Sequence, residues 1–309
     1  MAWNSVQGVP DYQSNFIPDI FAAKVLKNFY QNTCLSDITN TDYQGEITGM
    51  GSKVIVRRTP QLTVKDYQPN QDLDYEVLTP ETVELYIDKA KWFGCSLDQI
   101  FAKQFDKNYQ DLAAADGAIR LKEAIEEDFF AYAVGAAHAD NQGSTAGVSG
   151  SYSLGVTGTA VALVKGAIGT ANGVDLITQA GAVVTEQGVP QAGRWIVLPS
   201  WAVRLIKMDP LLNDAAATGD PQSVIRKGAV GVVDRFTVYE NNLLPTETAG
   251  ATTICPFGTK EACTFATQLT NNEVLPNPRT FGTLMRSLNV YGYKVVQPKA
   301  LGVMYIDKS

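Results

Sequence analysis

Apolar and polar positions divide the chain into one long helical stripe with short alternating runs on either side. From Asp106 to His138 the sequence reads DKNYQDLAAADGAIRLKEAIEEDFFAYAVGAAH. In it, Ala114, Ala118, Leu121, Ile125, Phe129, Tyr132 and Ala136 recur at steps of four and three. That spacing draws one apolar stripe down a helix, with Asp111, Asp116, Arg120, Glu123, Glu126 and Glu127 mostly off it. At about 1.5 Å per residue the helix is a rod of roughly 45–50 Å, far longer than the three turns of an average globular helix. Asp116 and Arg120 stand at i, i+4, a mildly favourable pair. Gly117 is the weak point, at about 1 kcal/mol against Ala.

Upstream of the rod, residues 1–17 are polar and irregular. Pro18 and Asp19 suit the first turn of a short helix over 18–31, with Ile17, Phe21, Val25 and Phe29 on one face. Ser52 to Arg58 alternates as a strand, Val54 and Val56 against Lys53, Ile55 and Arg57. Val83, Leu85 and Ile87 alternate with Glu84, Tyr86 and Asp88 in a second strand. The connector between them, TPQLTVKDYQPNQDLDYEVLTP, holds Pro60, Pro69 and Pro80 and few apolar anchors. A connector this long without a helix is unusual inside a compact domain. It predicts either a projecting two-stranded arm that lies on another subunit or an ordinary hairpin with a floppy loop. Ser96 and Gln99 have capping-box spacing ahead of a short apolar turn, Leu97 to Phe105.

After the rod, ADNQGSTAGVSGSYSLG reads as a flexible boundary segment. Thr159 to Ile168 is weakly helical, and Asp175 to Gln187 carries a helical apolar face. Arg194 to Leu198 is a buried-strand run, Ala202 to Met208 a short helix, and Gly228 to Tyr239 two short strands around a turn. CPFGTKEACTFATQ leads into another strand. Leu284 to Ile306 alternates as strand, bends at Pro298, and is expected to return to the first domain beside the rod.

Composition removes whole classes of chemistry. The chain has 309 residues, 45% hydrophobic and 18% charged, enough for one large domain or two with a real core. Its net charge of −7 argues against gripping nucleic acid through clustered cations. Cys34, Cys95, Cys255 and Cys263 have no CxxC spacing and read as free thiols of a reducing cytoplasm. His138 is the only histidine, so zinc-protease motifs, multi-His metal sites and a His-based triad with a well-placed partner have almost nothing to work with. Neither phosphate-cradling glycine motif occurs. No apolar run reaches membrane-spanning length, and the N-terminal stretch lacks the features of a secretory signal. No catalytic, cofactor-binding or metal-binding residue is expected, and no cofactor.

The order of these parts resembles the major capsid (coat) proteins of tailed bacteriophages, the Hong Kong 97-like fold also used by encapsulins. The passages that carry the resemblance are NFIPDIFAAKVLKNF, GSKVIVRRTPQLTVKDY, VELYIDKAKWFGCSLDQI, the long helix, VPQAGRWIVLPSWAVRLIK, GAVGVVDRFTVYENNLLP and VYGYKVV. Each passage is degenerate, and their joint order is what is specific. The resemblance implies an α+β fold in five spans. These are an N-terminal arm over 1–45, an extended loop over 46–93, a peripheral domain with the spine helix over 94–139, an axial domain over 140–275, and a return to the peripheral domain over 276–309. It implies a shell built from pentamers and hexamers of this chain, enclosing double-stranded DNA without sequence-specific binding and without a membrane. Scaffolding, portal and decoration proteins are candidate partners. The location implied is the virion capsid, assembled in the host cytoplasm. The runner-up is an encapsulin-like compartment, and the rival from another class is an acidic cytosolic enzyme. Some members of the family weld subunits through a Lys–Asn bond. Lys53 and Lys65 lie on the loop here, but Asn277 and Asn289 are candidates by residue type alone.

The extended loop carries Lys53, Arg57, Arg58 and Lys65, and the rod carries Glu123, Glu126 and Glu127. The family geometry lays the loop on a neighbouring subunit. These residues are therefore the expected inter-subunit contact, cations of one subunit facing carboxylates of the next.

Overall fold

The structure is a computed structural model that describes residues 31–42, 53–58, 60, 62–73, 75–77, 81–98, 109–164, 172–209, 231–247 and 251–308. The helix expected over 18–31, the arm before it and the turn expected up to Phe105 lie outside or largely outside these residues. The helices are α1 (Leu35–Ile38), α2 (Tyr109–Ala136), α3 (Gly173–Glu186) and α4 (Ser200–Lys207). The strands are β1 (Lys53–Arg57), β2 (Thr82–Tyr86), β3 (Lys89–Asp98), β4 (Val161–Leu163), β5 (Arg194–Leu198) and β6 (Val232–Val233). They continue as β7 (Phe236–Glu240), β8 (Thr246–Glu247), β9 (Thr252–Thr259), β10 (Cys263–Pro276), β11 (Gly282–Val295) and β12 (Leu301–Lys308).

The rod is α2, 28 residues long. Its C-terminal half is the buried half: Ile125, Phe129, Phe130 and Ala133 are inaccessible, whereas Ala118 is exposed. The apolar face therefore widens toward the C-terminus, where sheets pack against the helix on more than one side. Gly117 is no defect. A Cβ there would fall 2.3 Å from the Phe93 ring of β3, so glycine is what lets the strand approach the helix.

Among the described residues the strands form three sheets, two of which pack against the rod. β1 and β2 form an antiparallel hairpin with Lys53 opposite Tyr86. β10, β11 and β3 form an antiparallel three-stranded sheet, its two outer-length strands of 14 residues paired except for a bulge between Thr267 and Leu269. The third sheet runs β4-β12-β9-β5-β7-β6, with β8 on β9. Its interior strands β5 and β9 are buried at every position, the mark of strands covered on both faces. α3 packs there through Leu176, Ile177, Ala180, Val183 and Val184, and Asn172 caps it by accepting from the Asp175 N–H at 2.6 Å. One core runs through the rod, β11 and the larger sheet, joining Phe129 to Tyr291, Tyr293, Trp195 and Phe257.

Four sequence expectations change. Ser96 caps no helix: it lies in β3 opposite Leu284, because cross-strand pairing overrides the capping pattern. The segment read as weakly helical from Thr159 contains β4, which exists because Val161 pairs in parallel with Ile306, far away in sequence. The glycine-rich segment after the rod is not a loose linker. Asn141 is buried and donates to the carbonyls of Lys299 and Leu301 at 2.7 and 3.0 Å. A Cβ on Gly155, whose φ is +78°, would fall 2.6 Å from the Tyr305 carbonyl. Finally, the C-terminal return divides. β11 pairs with β3 along the rod, but β12 joins the larger sheet, where Val303 and Tyr305 pack with Val134 near the rod's end and Ala137 just beyond it. β10, inside the span expected to be axial, belongs with β3 and β11.

Candidate assembly interface

The hairpin β1–β2 is rooted and then left uncovered. At its base Leu85 and Ile87 are buried with Ala266, and Val54 and Val290 pack against them. The strand crosses β11 so closely that a Cβ on Gly292 would fall 2.1 Å from the Tyr86 carbonyl. Beyond the hairpin every described residue from Leu62 to Val77 is exposed. Among them Val64 is 95%, Tyr75 82% and Val77 89% accessible. Leu62, Tyr67 and Leu73 are exposed as well. Large apolar side chains rarely gather on one exposed segment unless something covers them.

The charges on this arm are mostly answered within it. Lys53 pairs with Glu84 at 2.7 Å, Arg58 with Glu81 at 2.8 Å and Lys65 with Glu76 at 3.8 Å. The hydrogen bond to Glu84 holds the Lys53 ammonium above its usual value, and the bond from Lys53 holds the Glu84 carboxyl below its own. Residues 53–88 contain four cations and seven acids, so the arm is not a positive element. Arg57 is exposed and makes no ion pair among the described residues.

The three glutamates of the rod also separate. Glu123 accepts from the Gln31 N–H at 2.6 Å. Glu126 is fully buried, and its Oε1 accepts from the Cys34 N–H at 2.7 Å, the Cys34 thiol at 3.1 Å and the Asn241 Nδ2–H at 3.1 Å. Its Oε2 is buried without a partner, and burial raises the carboxyl above its usual range. Glu127 alone points to solvent. The i, i+3 spacing of Glu123 and Glu126 puts both under the stretch from Gln31 to Cys34 as it crosses the rod. Glu126 is therefore corrected: its carboxylate is consumed inside its own subunit and is out of reach of a neighbour's side chain.

A polar cluster that the sequence reading missed ties the rod to the three-stranded sheet. Lys91 Nζ sits 2.8 Å from Asp128 Oδ2 and donates to the Ala124 carbonyl at 2.8 Å. Tyr291 donates its hydroxyl to Asp128 Oδ2 at 2.9 Å, and Tyr293 donates to the Asp128 carbonyl at 3.1 Å. Burial works to raise the Asp128 carboxyl, but Lys91 and Tyr291 outweigh it and the net shift is downward. Lys89 lies 4.7 Å over the Tyr293 ring. The available signal was the strand period: Lys89, Lys91 and Phe93 share one face of β3, and Tyr291 and Tyr293 one face of β11. The opposite face of this sheet presents Trp92, 72% exposed, beside the Glu273–Arg286 pair, and Phe281 stands out where β10 turns into β11. Among the described residues no group of His, Cys, Asp and Glu is placed to hold a metal ion, and no helix is long and apolar enough to cross a membrane.

No protein-family profile matches the chain, and no curated protein sequence does. Solved structures do. A chain from Mycobacterium phage Che8 superposes with a TM-score of 0.74 at 24% identity, covering 94% of this chain and 97% of that one. The capsid of cyanophage P-SCSP1u matches with a TM-score of 0.69 at 13% identity, over 95% and 94%. The mature capsid of bacteriophage PhiM1 matches with a TM-score of 0.62 at 12% identity, over 96% and 93%. The rod, the projecting hairpin and the two sheets thus form the α+β, Hong Kong 97-like fold of phage capsid structures, over nearly the whole chain.

Proposed function

We propose that the protein is a major capsid protein whose copies assemble, as pentamers and hexamers, into the icosahedral shell around phage double-stranded DNA. The observation that carries this reading is the apolar arm from Leu62 to Val77, which its own subunit leaves uncovered. Burying one such side chain contributes about 1.5–3 kcal/mol, so covering several on a neighbour is enough to drive association. The shared capsid fold supports the same reading, and a chain with this fold needs no catalytic site. The net charge of −7 suits a wall that holds a polyanion without gripping it. Within this reading the rod and the three-stranded sheet form the peripheral domain and the larger sheet the axial domain. Scaffolding, portal and decoration proteins are further partners, and the location is the virion capsid after assembly in the host cytoplasm.

The test is expression of the full chain, followed by sizing and electron microscopy. The expected result is capsomers or closed shells. A protein that stays monomeric or forms only a small oligomer at every concentration and salt tried, with or without co-expressed phage proteins, would sink the reading. Shells loaded with a host enzyme in place of nucleic acid would move it to the encapsulin-like compartment.

A further inference from the structure

The buried carboxylate of Glu126 has a task that shell geometry does not explain. Residues Gln31 to Cys34 cross the rod, with Asn32 and Thr33 exposed. Side chains of the rod hold this crossing at two points, Glu123 on the Gln31 N–H and Glu126 on the Cys34 N–H. Further on the chain is fixed differently: Ile38 is in the core, and Asn40 exchanges backbone bonds with Cys263 and Phe265 at the start of β10. The crossing can therefore lift without unpicking the sheet behind it.

We propose that Glu126 is a proton-operated latch, which holds the Gln31–Cys34 crossing on the rod when protonated and releases it when ionised. The Cys34 N–H, the Cys34 thiol and the Asn241 amide all donate to Oε1, whereas Oε2 is buried without a hydrogen-bond partner among the described residues. Leaving a neutral oxygen bare costs far less than leaving a charged one bare. No cation pairs with Glu126 among the described residues. The titratable groups around it are the Cys34 thiol and Asp37 from the crossing side, Tyr239 on β7, and Glu123 and Glu127 on the rod. Every one is neutral or acidic, and Lys122, one turn back on the rod, is exposed, so what favours the carboxylate is its hydrogen-bond donors: the Cys34 and Leu35 N–H groups, the Cys34 thiol and the Asn241 amide. Once ionised, Oε2 finds hydration only if the crossing lifts. The sign follows from the raised carboxyl. The closed latch is fully stable below the ordinary carboxylate range and weakens as pH rises through the elevated value.

Cys34 is a built-in reporter, because its thiol is buried under the same latch. In the full-length protein, site-resolved mass spectrometry would follow the rate at which a small thiol reagent labels Cys34, in wild type and in Glu126→Gln. Dividing the two rates removes the thiol's own pH dependence. The ratio is expected to rise about ten-fold or more between about pH 5.5 and pH 8.5, because the glutamine stays neutral throughout. Ionised Glu126 disfavours a thiolate beside it, so any direct electrostatic effect works against the expected rise. A flat ratio would overturn the proposal. Amide exchange on wild type, corrected for intrinsic rate, covers a glutamine variant that fails to fold. Protection of residues 32–36 should fall with rising pH while β12 keeps its protection. Equal loss in both, or in neither, would overturn the proposal as well.

Discussion

At the residue scale, the side chains that decide the architecture are those that contradict their own propensities. Gly117 looks like a flaw in a helix, and helix propensity alone says that Gly117→Ala should stabilise by about 1 kcal/mol. The Phe93 ring, 2.3 Å from where that Cβ would stand, reverses the sign. Gly117→Ala is expected to destabilise the subunit by about 1–3 kcal/mol through overpacking. Phe93→Leu in the alanine background should recover part of the loss in denaturant titration. Arg194 is the second case. It is 1% exposed, and its guanidinium donates to the carbonyls of Gly181, Val189 and Pro190 at 3.0–3.1 Å, closing the turn after α3. Burial lowers its pKa, but an arginine stays charged. Arg194→Met fills the volume and leaves the Val189 and Pro190 carbonyls without donors, while the Gly181 carbonyl keeps the Thr185 hydroxyl at 2.7 Å. The expected loss is about 2–4 kcal/mol, since each orphaned buried group costs about 1–3 kcal/mol and water recovers part of it. Arg194→Lys should recover little, because one ammonium cannot reproduce the planar fork. An Arg194→Met protein as stable as wild type would mean the three bonds are incidental. Neither role was legible from sequence, since each depends on a partner brought close only by the fold.

At the element scale, legibility followed periodicity and length. The rod was readable because its 3.6-residue stripe persists for many turns, and β1, β2 and β5 because their alternation or apolar run is local. β4 was not, because three residues become a strand only through pairing with the chain's far end. β10 was half readable. Cys263 to Ala266 are largely buried, while Asn271 to Glu273 lie beyond the core's cover and carry no alternation to read. The projecting arm was inferred from what its sequence lacks, and in the structure its apolar residues are exposed. A clean test follows from the register, in which Arg58 donates its N–H to the Glu81 carbonyl. Joining Arg58 to Glu81 through Asn-Gly closes the hairpin with a two-residue turn. Because residues 62–77 lie outside their own core, the shortened subunit should keep its stability within about 1 kcal/mol and even gain slightly from the shorter loop. It should form no shells at concentrations where wild type does. Normal shells from the shortened chain would detach the arm from assembly.

At the scale of the whole molecule, charge cannot work in the way that counting cations on the arm suggests. Three of its four cations already have carboxylates on the same hairpin, and two of the rod's three glutamates hold backbone of their own chain. Of the residues expected at the contact, those left facing outward are Arg57 on the arm and Glu127 on the rod. If arm and rod meet between neighbours, that pair is the one left to meet. One exposed pair contributes about 0–1 kcal/mol, yet every subunit of a shell makes the contact, so a small term acts on the whole assembly equilibrium. Arg57→Glu is expected to raise the concentration needed for assembly by about 2–10-fold without changing the subunit's unfolding, the range that 0.4–1.4 kcal/mol per contact gives. Adding Glu127→Lys should recover at least half of that rise, the coupling a double-mutant cycle reads directly. Arg58→Glu should behave differently, because it sets two carboxylates against each other across the hairpin and loosens the arm itself. The three cations paired within the arm also predict a shallow salt dependence, since pairs internal to the arm are screened equally before and after association. A steep loss of assembly between low and physiological salt, or an Arg57→Glu defect that Glu127→Lys leaves untouched, would place the arm against some other surface of its neighbour.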